Sequence, residues 1–219
     1  MDWIRYAVSW GPNTLCSTGE EGQLNGVKGV AGMDIGMYAE DYVPKQFRIQ
    51  AHALREEAWP GLGGIPHDPA LNPLTILLVT PDGEVTAVLD VLSKDIEHEG
   101  VRYRAAGLSS VVTAEAHQGK GHGRQLVAAA REIIAKSGAD LGIFTCDRPL
   151  RGFYEGAGWR VLEGAVLVGG TPEAPFPSDR PGFDKVTMAG FFTERGRRGA
   201  ASFRDARIGL YPGEIDRLW

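Results

Sequence analysis

The sequence predicts an α/β fold: a mixed, twisted, mostly antiparallel sheet with a splayed central strand pair and helices on both faces. Three observations carry that expectation. Residues 75–113 hold three strand-like runs joined by short turns, which reads as an antiparallel meander. A bare, basic bend, H-Q-G-K-G-H-G-R at 117–124, leads straight into an apolar stripe at helical spacing. A short apolar run, L-G-I-F-T at 141–145, follows that helix, so residues 101–145 form a strand–bend–helix–strand unit joined to the meander.

Residues 1–32 stand apart. From Gly11 to Gly32, glycine and small polar residues dominate and no period lasts. An irregular N-terminal extension is expected there, with the main domain over 33–219 and Met33 or Met37 as alternative starts. Asp34–Tyr38 suits a short strand. Val43 to Trp59 carries Val43, Phe47, Ile49, Leu54 and Trp59 among helix formers, and Pro44 suits a first helical turn. The stretch W-P-G-L-G-G-I-P-H-D-P-A-L-N-P is then a long loop, of the kind that is functional or mobile.

The meander follows. Thr75–Thr80 turns through P-D-G into Glu84–Ser93. The charged K-D-I-E-H-E-G reads as a bend before Val101–Thr113, where the internal Gly107 marks a bulge or splay. In Gly123–Lys136, Leu126, Val127, Ala130, Ile133 and Ile134 keep helical spacing, and S-G-A-D stops the helix. Leu141–Thr145 reads as a buried strand, Pro149–Gly156 as a short helix and Trp159–Val168 as a further strand. Residues 169–184 read as loop. Lys185–Thr193 and Ala206–Tyr211 are the final strands, joined by a basic, flexible E-R-G-R-R-G-A.

Composition narrows the function classes. The 219 residues suit one domain with an appendage, and 43% hydrophobic content supports a sizeable core. A net charge of -5 argues against general nucleic-acid binding and suits a cationic small substrate. Two distant cysteines, Cys16 and Cys146, make no disulfide framework and fit a reducing cytoplasm. No apolar run reaches the length of a membrane span, and M-D-W-I-R-Y lacks the layout of a secretory signal.

The bend has a chemistry of its own. A helix N-terminus exposes unpaired N–H groups and the positive end of the macrodipole. Gly119, Gly121 and Gly123 let the chain turn sharply and let an anion approach the amides, while Lys120, His122 and Arg124 add donors or charge. A diphosphate suits such a bend. The spacing is G-x-G-x-G, so it is neither the dinucleotide fingerprint G-x-G-x-x-G nor a Walker loop with its G-K-[ST].

Two stretches together carry a resemblance. Gln118-Gly119-Lys120-Gly121-His122-Gly123 sits after a strand and opens a helix. Downstream stands G-I-F-T-C-D-R-P-L-R-G-F-Y-E-G-A-G-W, from Gly142 to Trp159. In these the chain resembles the GCN5-related N-acetyltransferases (GNAT), whose acetyl-CoA motif is [QR]-x-x-G-x-[GA]. The likeness spans Asp34 to Val168 and is strongest from Gly107 to Trp159. V-R-Y-R-A-A-G-L-S-S-V-V-T before the bend, and the ending G-E-I-D-R-L-W, are similar to the aminoglycoside 2′-N-acetyltransferases. That narrower likeness implies that Asp216 and Trp219 help to hold a polycationic sugar. It departs at Ser109, where those enzymes carry a glutamate.

The resemblance implies direct transfer of an acetyl group from acetyl-CoA to the primary amine of a small, cationic, aminoglycoside-like molecule, in a ternary complex; the alternatives are a protein or peptide acceptor, or a non-catalytic acyl-CoA-binding sensor of the same fold. Dimers are common among such enzymes, so a homodimer is the implied assembly. Main-chain groups at Val111, Val112 and Thr113 would pair with the pantetheine arm, and 118–124 would take the diphosphate. Asp147 falls where an asparagine often contacts the cofactor. Tyr154 is the candidate acid for the departing thiolate. Candidates for the proton acceptor are Glu115, Asp90 or a water relay through Ser109 and Ser110. Cys146 ends a strand near the centre, but nucleophilic use would need a histidine partner that the sequence does not identify. His52, His67 and His98 lack metal-ligand spacing, so no metal is expected. Glu56 and Glu57 on the first helix are the expected carboxylates of the acceptor cleft.

Overall fold

In the computed structural model the described residues are 24–28, by backbone alone, and 32–210. Strands β1 (Leu24–Lys28), β2 (Asp34–Ala39), β3 (Leu74–Val79), β4 (Val85–His98), β5 (Val101–Thr113), β6 (Leu141–Asp147), β7 (Arg160–Val161) and β10 (Lys185–Phe191) form one eight-stranded sheet. Their spatial order is β1-β2-β3-β4-β5-β6-β10-β7. Every adjacent pair is antiparallel except β5 and β6, which are parallel. This is the mixed, mostly antiparallel sheet that the residue pattern predicts.

The splay is at the centre. β5 and β6 pair only through Ala105↔Leu141 and Ala106↔Gly142. Beyond Gly107 they part and leave a wedge between them. Gly107 itself pairs regularly with Leu92, so the bulge expected there lies elsewhere. The ladder passes from Val88↔Val112 to Asp90↔Ser109, which sets Ser110 and Val111 opposite Leu89. Ser110 is the bulged residue, with φ 51.

Alternation along the meander sends side chains to two faces. Leu77, Val85 and Val88 join Tyr38, Val43 and Ala51 beneath helix α1 (Lys45–Ala58). Ile76, Leu78, Ala87 and Leu89 join the larger core, to which helix α2 (His122–Lys136) contributes Leu126, Val127, Ala130 and Ile134. Helix α3 (Arg151–Gly156) adds Tyr154 to the same core. Trp159 is fully buried and stands edge-on to Phe144, with centroids 4.8 Å apart.

Five local readings change, one of them in 169–184, where the expected loop contains a short strand, Pro175–Pro177. The charged stretch after Ser93 is strand, because β4 runs to His98 and the turn is Glu99-Gly100, both at positive φ, as a two-residue hairpin of the tight primed type needs. The run from Trp159 to Val168 is divided. Its first part, β7, stays in the main sheet. Its second, β8 (Val166–Gly170), joins β9 (Pro175–Pro177) and β11 (Arg207–Gly209) in a small sheet where β8 and β11 are parallel. The basic connection is helix α4 (Glu194–Gly199), capped by Thr193, whose hydroxyl accepts from the Gly196 N–H at 3.1 Å. Finally, β1 pairs antiparallel with β2 inside the segment read as an irregular extension. No helix among the described residues is long and apolar enough to cross a membrane.

Candidate active site

The bend is built as its glycines require. Gly119 has φ 72 and Gly121 has φ 87, and a Cβ added at either would meet nothing within 4 Å. Backbone conformation demands glycine there, and the space above the bend is open. Gly123 is different: its Cβ would lie 2.5 Å from Thr113 Oγ1, so the start of α2 is pressed against the end of β5. No side chain caps α2, and the N–H groups of its first turn are left for a ligand.

These residues line a groove of about 660 Å³, together with Val111, Thr113, Phe153 and Tyr154. Lys120 and Arg124 are its exposed cations, and among the described residues no carboxylate lines it. The open glycine corner and the charge of this lining both fit a diphosphate. Gln118 Nε2 donates to the Thr113 carbonyl at 3.2 Å, which braces the bend. The His117 and His122 rings stack with centroids 5.0 Å apart, and His117 Nε2 meets the Glu84 carboxylate at 3.0 Å. Burial pushes the His122 imidazole below its usual value, and neighbouring His117 and Lys120 push the same way. Of the strand residues expected to meet the cofactor, Val111 and Thr113 line the groove. The side chain of Val112 packs instead with the small core beneath α1.

A second cavity, of about 830 Å³, adjoins the groove and shares Val111, Leu150 and Tyr154 with it. The shared residues sit where β5 and β6 have parted. Here the bulge leaves the ladder interrupted, so main-chain polar groups are released from strand pairing. Holding Ser110 in the left-handed region costs on the order of 1 kcal/mol, strain of a sort that gathers at functional sites. Tyr154 is 6% exposed, edge-on to Phe144 at 5.1 Å and to Phe153 at 4.9 Å. Burial pushes its phenol well above the usual value, helped by Cys146 and Asp147. Burial likewise raises the Cys146 thiol to about 11, with Asp147 adding to it.

A polar network runs along one wall. Arg55 Nη2 donates to both oxygens of Asp90, at 2.8 and 2.6 Å, and Thr75 Oγ1 donates to Oδ1 at 2.7 Å. Burial pushes the Asp90 carboxyl up, while Arg55, His67 and Thr75 draw it back. Beside it, His67 Nδ1 meets Glu40 Oε1 at 2.8 Å, and His67 Nε2 meets Ser109 Oγ at 3.3 Å. Burial raises Glu40, but the hydrogen bond and charge of His67, with Arg55, more than offset it and leave the carboxyl below its ordinary value. Glu40, His67 and Asp90 bring ligand-type atoms within 4.8 Å of one another, a grouping not visible in the linear spacing of the histidines. Within the grouping, Glu40 and His67 are bonded to each other, and Asp90 is held by Arg55 and Thr75.

The remaining expected residues fall as follows. Glu56 does not line the cavity: its carboxylate accepts from the N–H groups of Gly61 at 2.6 Å and Gly63 at 3.2 Å and so folds the loop after α1. Glu57 is exposed and also outside it. Among the described residues, the carboxylates that do line it are Glu40, Asp41 and Asp147. Asp147 pairs with Lys185 at 2.7 Å and lies on the cavity, not on the groove. Glu115 is exposed and lines neither space. Asp216 and Trp219 lie outside the described residues. Glu40 was not singled out from the sequence, and His67 was read there only as lacking metal-ligand spacing. The available signals were an acidic pair directly after β2 and a histidine inside a long Pro/Gly loop, the kind of segment that carries function.

A splayed parallel pair, an uncapped helix behind a glycine bend, and a cavity meeting that groove at a buried tyrosine define an acyl-CoA-dependent acyltransferase. The sequence matches the acetyltransferase (GNAT) domain over residues 35–162, more than half the chain, and the protein belongs to that family. In fold it is similar to ElaA of Escherichia coli, at 16% identity and a TM-score of 0.50, over 72% of this chain and 98% of that one. It also matches an acyl-CoA N-acyltransferase from Pseudomonas aeruginosa at 17% identity and a TM-score of 0.47, over 72% and 98% of the two chains. No curated protein matches the sequence.

Proposed function

We propose that the protein moves an acetyl group from acetyl-CoA to the primary amine of a small molecule held in the 830 Å³ cavity, by direct transfer in a ternary complex. The observation that carries this reading is the junction of two spaces of different character. Among the described residues the groove is cationic and lacks carboxylates, whereas the cavity mixes Glu40, Asp41 and Asp147 with Arg48, Arg55 and Lys185. An anionic donor would therefore be drawn to the groove side of Tyr154, while the cavity side alone offers carboxylates to an ammonium acceptor.

Each residue then has a task. Amides at 119–124 and Lys120 bind the diphosphate. Main-chain groups of Val111 and Thr113 take the pantetheine arm in the wedge where β6 is absent. A main-chain N–H freed at the Ser110 bulge polarises the thioester carbonyl. Tyr154, kept protonated by burial, meets the departing thiolate.

The size of the cavity favours a small acceptor over a polypeptide. Its charge favours an amine with one or few cations over a polycationic aminoglycoside, because Arg48, Arg55 and Lys185 line it beside the carboxylates. Exposed Trp59, Leu62 and Ile65 at its edge suit an acceptor with an apolar body. The test is thermal protection by acetyl-CoA, followed by free-thiol release across a panel of small amines. Protection without thiol release from any member would leave a binding protein and end the transferase reading.

A further inference from the structure

We infer that His67 is the proton acceptor for the incoming amine, reached through the Ser109 hydroxyl, with Glu40 as its positioning residue. This rests on the acyl-transfer reading and adds to it the group that makes the ammonium nucleophilic.

The geometry is a chain of hydrogen bonds ending at the bulge. Glu40 grips His67 twice, through Oε1 to Nδ1 at 2.8 Å and through Oε2 to the backbone N–H at 3.2 Å. The ring is thereby fixed with Nδ1–H donating to a carboxylate and Nε2 left as the acceptor. Nε2 faces Ser109 Oγ at 3.3 Å, and Ser109 Oγ lies 3.5 Å from Ser110 Oγ. Ser110 is followed by Val111, which lines both cavity and groove. The relay thus starts in the acceptor space and ends beside the wedge where the thioester belongs.

Charged and titratable groups face His67 from several elements: Glu40 after β2, Arg55 on α1 and Asp90 on β4. Arg55 and Asp90 are occupied with each other. The other groups of the cavity suit the task poorly. Burial keeps Tyr154 and Cys146 protonated, and His52 is exposed with no carboxylate partner among the described residues. An imidazole clamped by a carboxylate on one nitrogen and facing a hydroxyl with the other is placed to accept a proton through that hydroxyl.

The step balances. The ammonium gives a proton to Ser109 Oγ as the Ser109 hydroxyl proton passes to His67 Nε2. The freed amine nitrogen bonds to the acyl carbon and the carbon–sulfur bond breaks. The thiolate takes the Tyr154 proton, and the surplus proton on the new amide nitrogen restores Tyr154. One proton ends on the thiol and one leaves through His67 to water.

The test compares two acceptors with acetyl-CoA. Benzylamine is an ammonium at neutral pH and needs deprotonation; hydroxylamine is largely uncharged there and does not. His67→Gln and Ser109→Ala are expected to lower kcat with benzylamine about 100-fold or more, and hydroxylamine turnover less than about fivefold. The pH dependence of kcat with benzylamine should change in His67→Gln, and Glu40→Gln should displace it. Acetyl-CoA protection against melting should survive in all three variants, which checks that they fold.

Equal losses with both acceptors, an unchanged pH profile, or acetylated Ser109 after incubation with acetyl-CoA alone would each overturn the inference. So would a wild-type protein that releases no thiol with either acceptor. If acetyl-CoA also fails to protect against melting, the underlying reading falls with it.

Discussion

Arg55 reaches from α1 to both carboxylate oxygens of Asp90, at 2.8 and 2.6 Å, in the middle of β4. The Asp90 side chain has no exposed surface, so the pair pins the helix to the sheet through a desolvated charge.

Arg55→Met is therefore expected to cost about 3–5 kcal/mol, read by denaturant unfolding, because it strands a buried carboxylate. The cost should depend on pH. Burial raises the folded-state value of Asp90 above 3.8, and losing Arg55 raises it further. Relative stability from this group is full below the unfolded value and is lost as pH rises through the folded one. The variant should thus be least impaired near pH 4 and progressively worse toward pH 7. A pH-independent difference would count against a charged pair.

Gly121→Val should weaken acetyl-CoA binding at least tenfold and destabilise the fold by about 1–2 kcal/mol, since φ 87 strains any side chain. Its Cβ would enter open space, so the binding loss would come from intrusion on the ligand and not from a clash within the protein. Isothermal titration with coenzyme A reads the first effect and thermal melting the second. Lys120→Ala should weaken binding less and flatten its salt dependence.

Much of this frame was legible beforehand, for physical reasons that differ by element. β5 and α2 were plain because β-branched runs and the Leu126, Val127, Ala130, Ile134 stripe are local signals of burial. Helix α4 was hidden because R-G-R-R-G looks like a breaker, and what stabilises it is the Thr193 cap and a close approach to another element. A Cβ on Gly196 would lie 2.1 Å from the Asp140 carbonyl. The division of β7 from β8 follows from tertiary pairing with β10 and β11, which no short window contains. At the site, the glycine bend and Tyr154 were readable as motifs. Glu40 and His67 were not, since 27 positions separate them and only the fold of the long loop joins them.

Tyr154→Phe should lower kcat about 100-fold with little change in acetyl-CoA affinity or melting temperature, because the ring stays in its aromatic nest. Burial raises the phenol above its usual 10.0, so the wild type should show no descending limb from this group below pH 10. Steady-state kinetics over pH 6–10 check both statements.

In a Cys16→Ser background, Cys146 should resist alkylation by iodoacetamide at pH 8 and react fully in denaturant. With the thiol raised to about 11, roughly one part in a thousand is thiolate at that pH. Mass spectrometry of the intact protein reads the result. Rapid native labelling would show an activated cysteine and reopen a covalent route.

Strand β1 runs along β2 through Leu24↔Met37, Val27↔Ile35 and Lys28↔Asp34, at the rim of the main sheet. A shortened chain beginning at Met33 would retain every described residue of the groove and the cavity. It would also present a row of unsatisfied backbone donors and acceptors to whatever strand it met next. Such a truncation would move the rim of the sheet from β1 to the longer, half-buried β2, so that self-association at high concentration, compared with that of the full chain, would read what those five residues contribute.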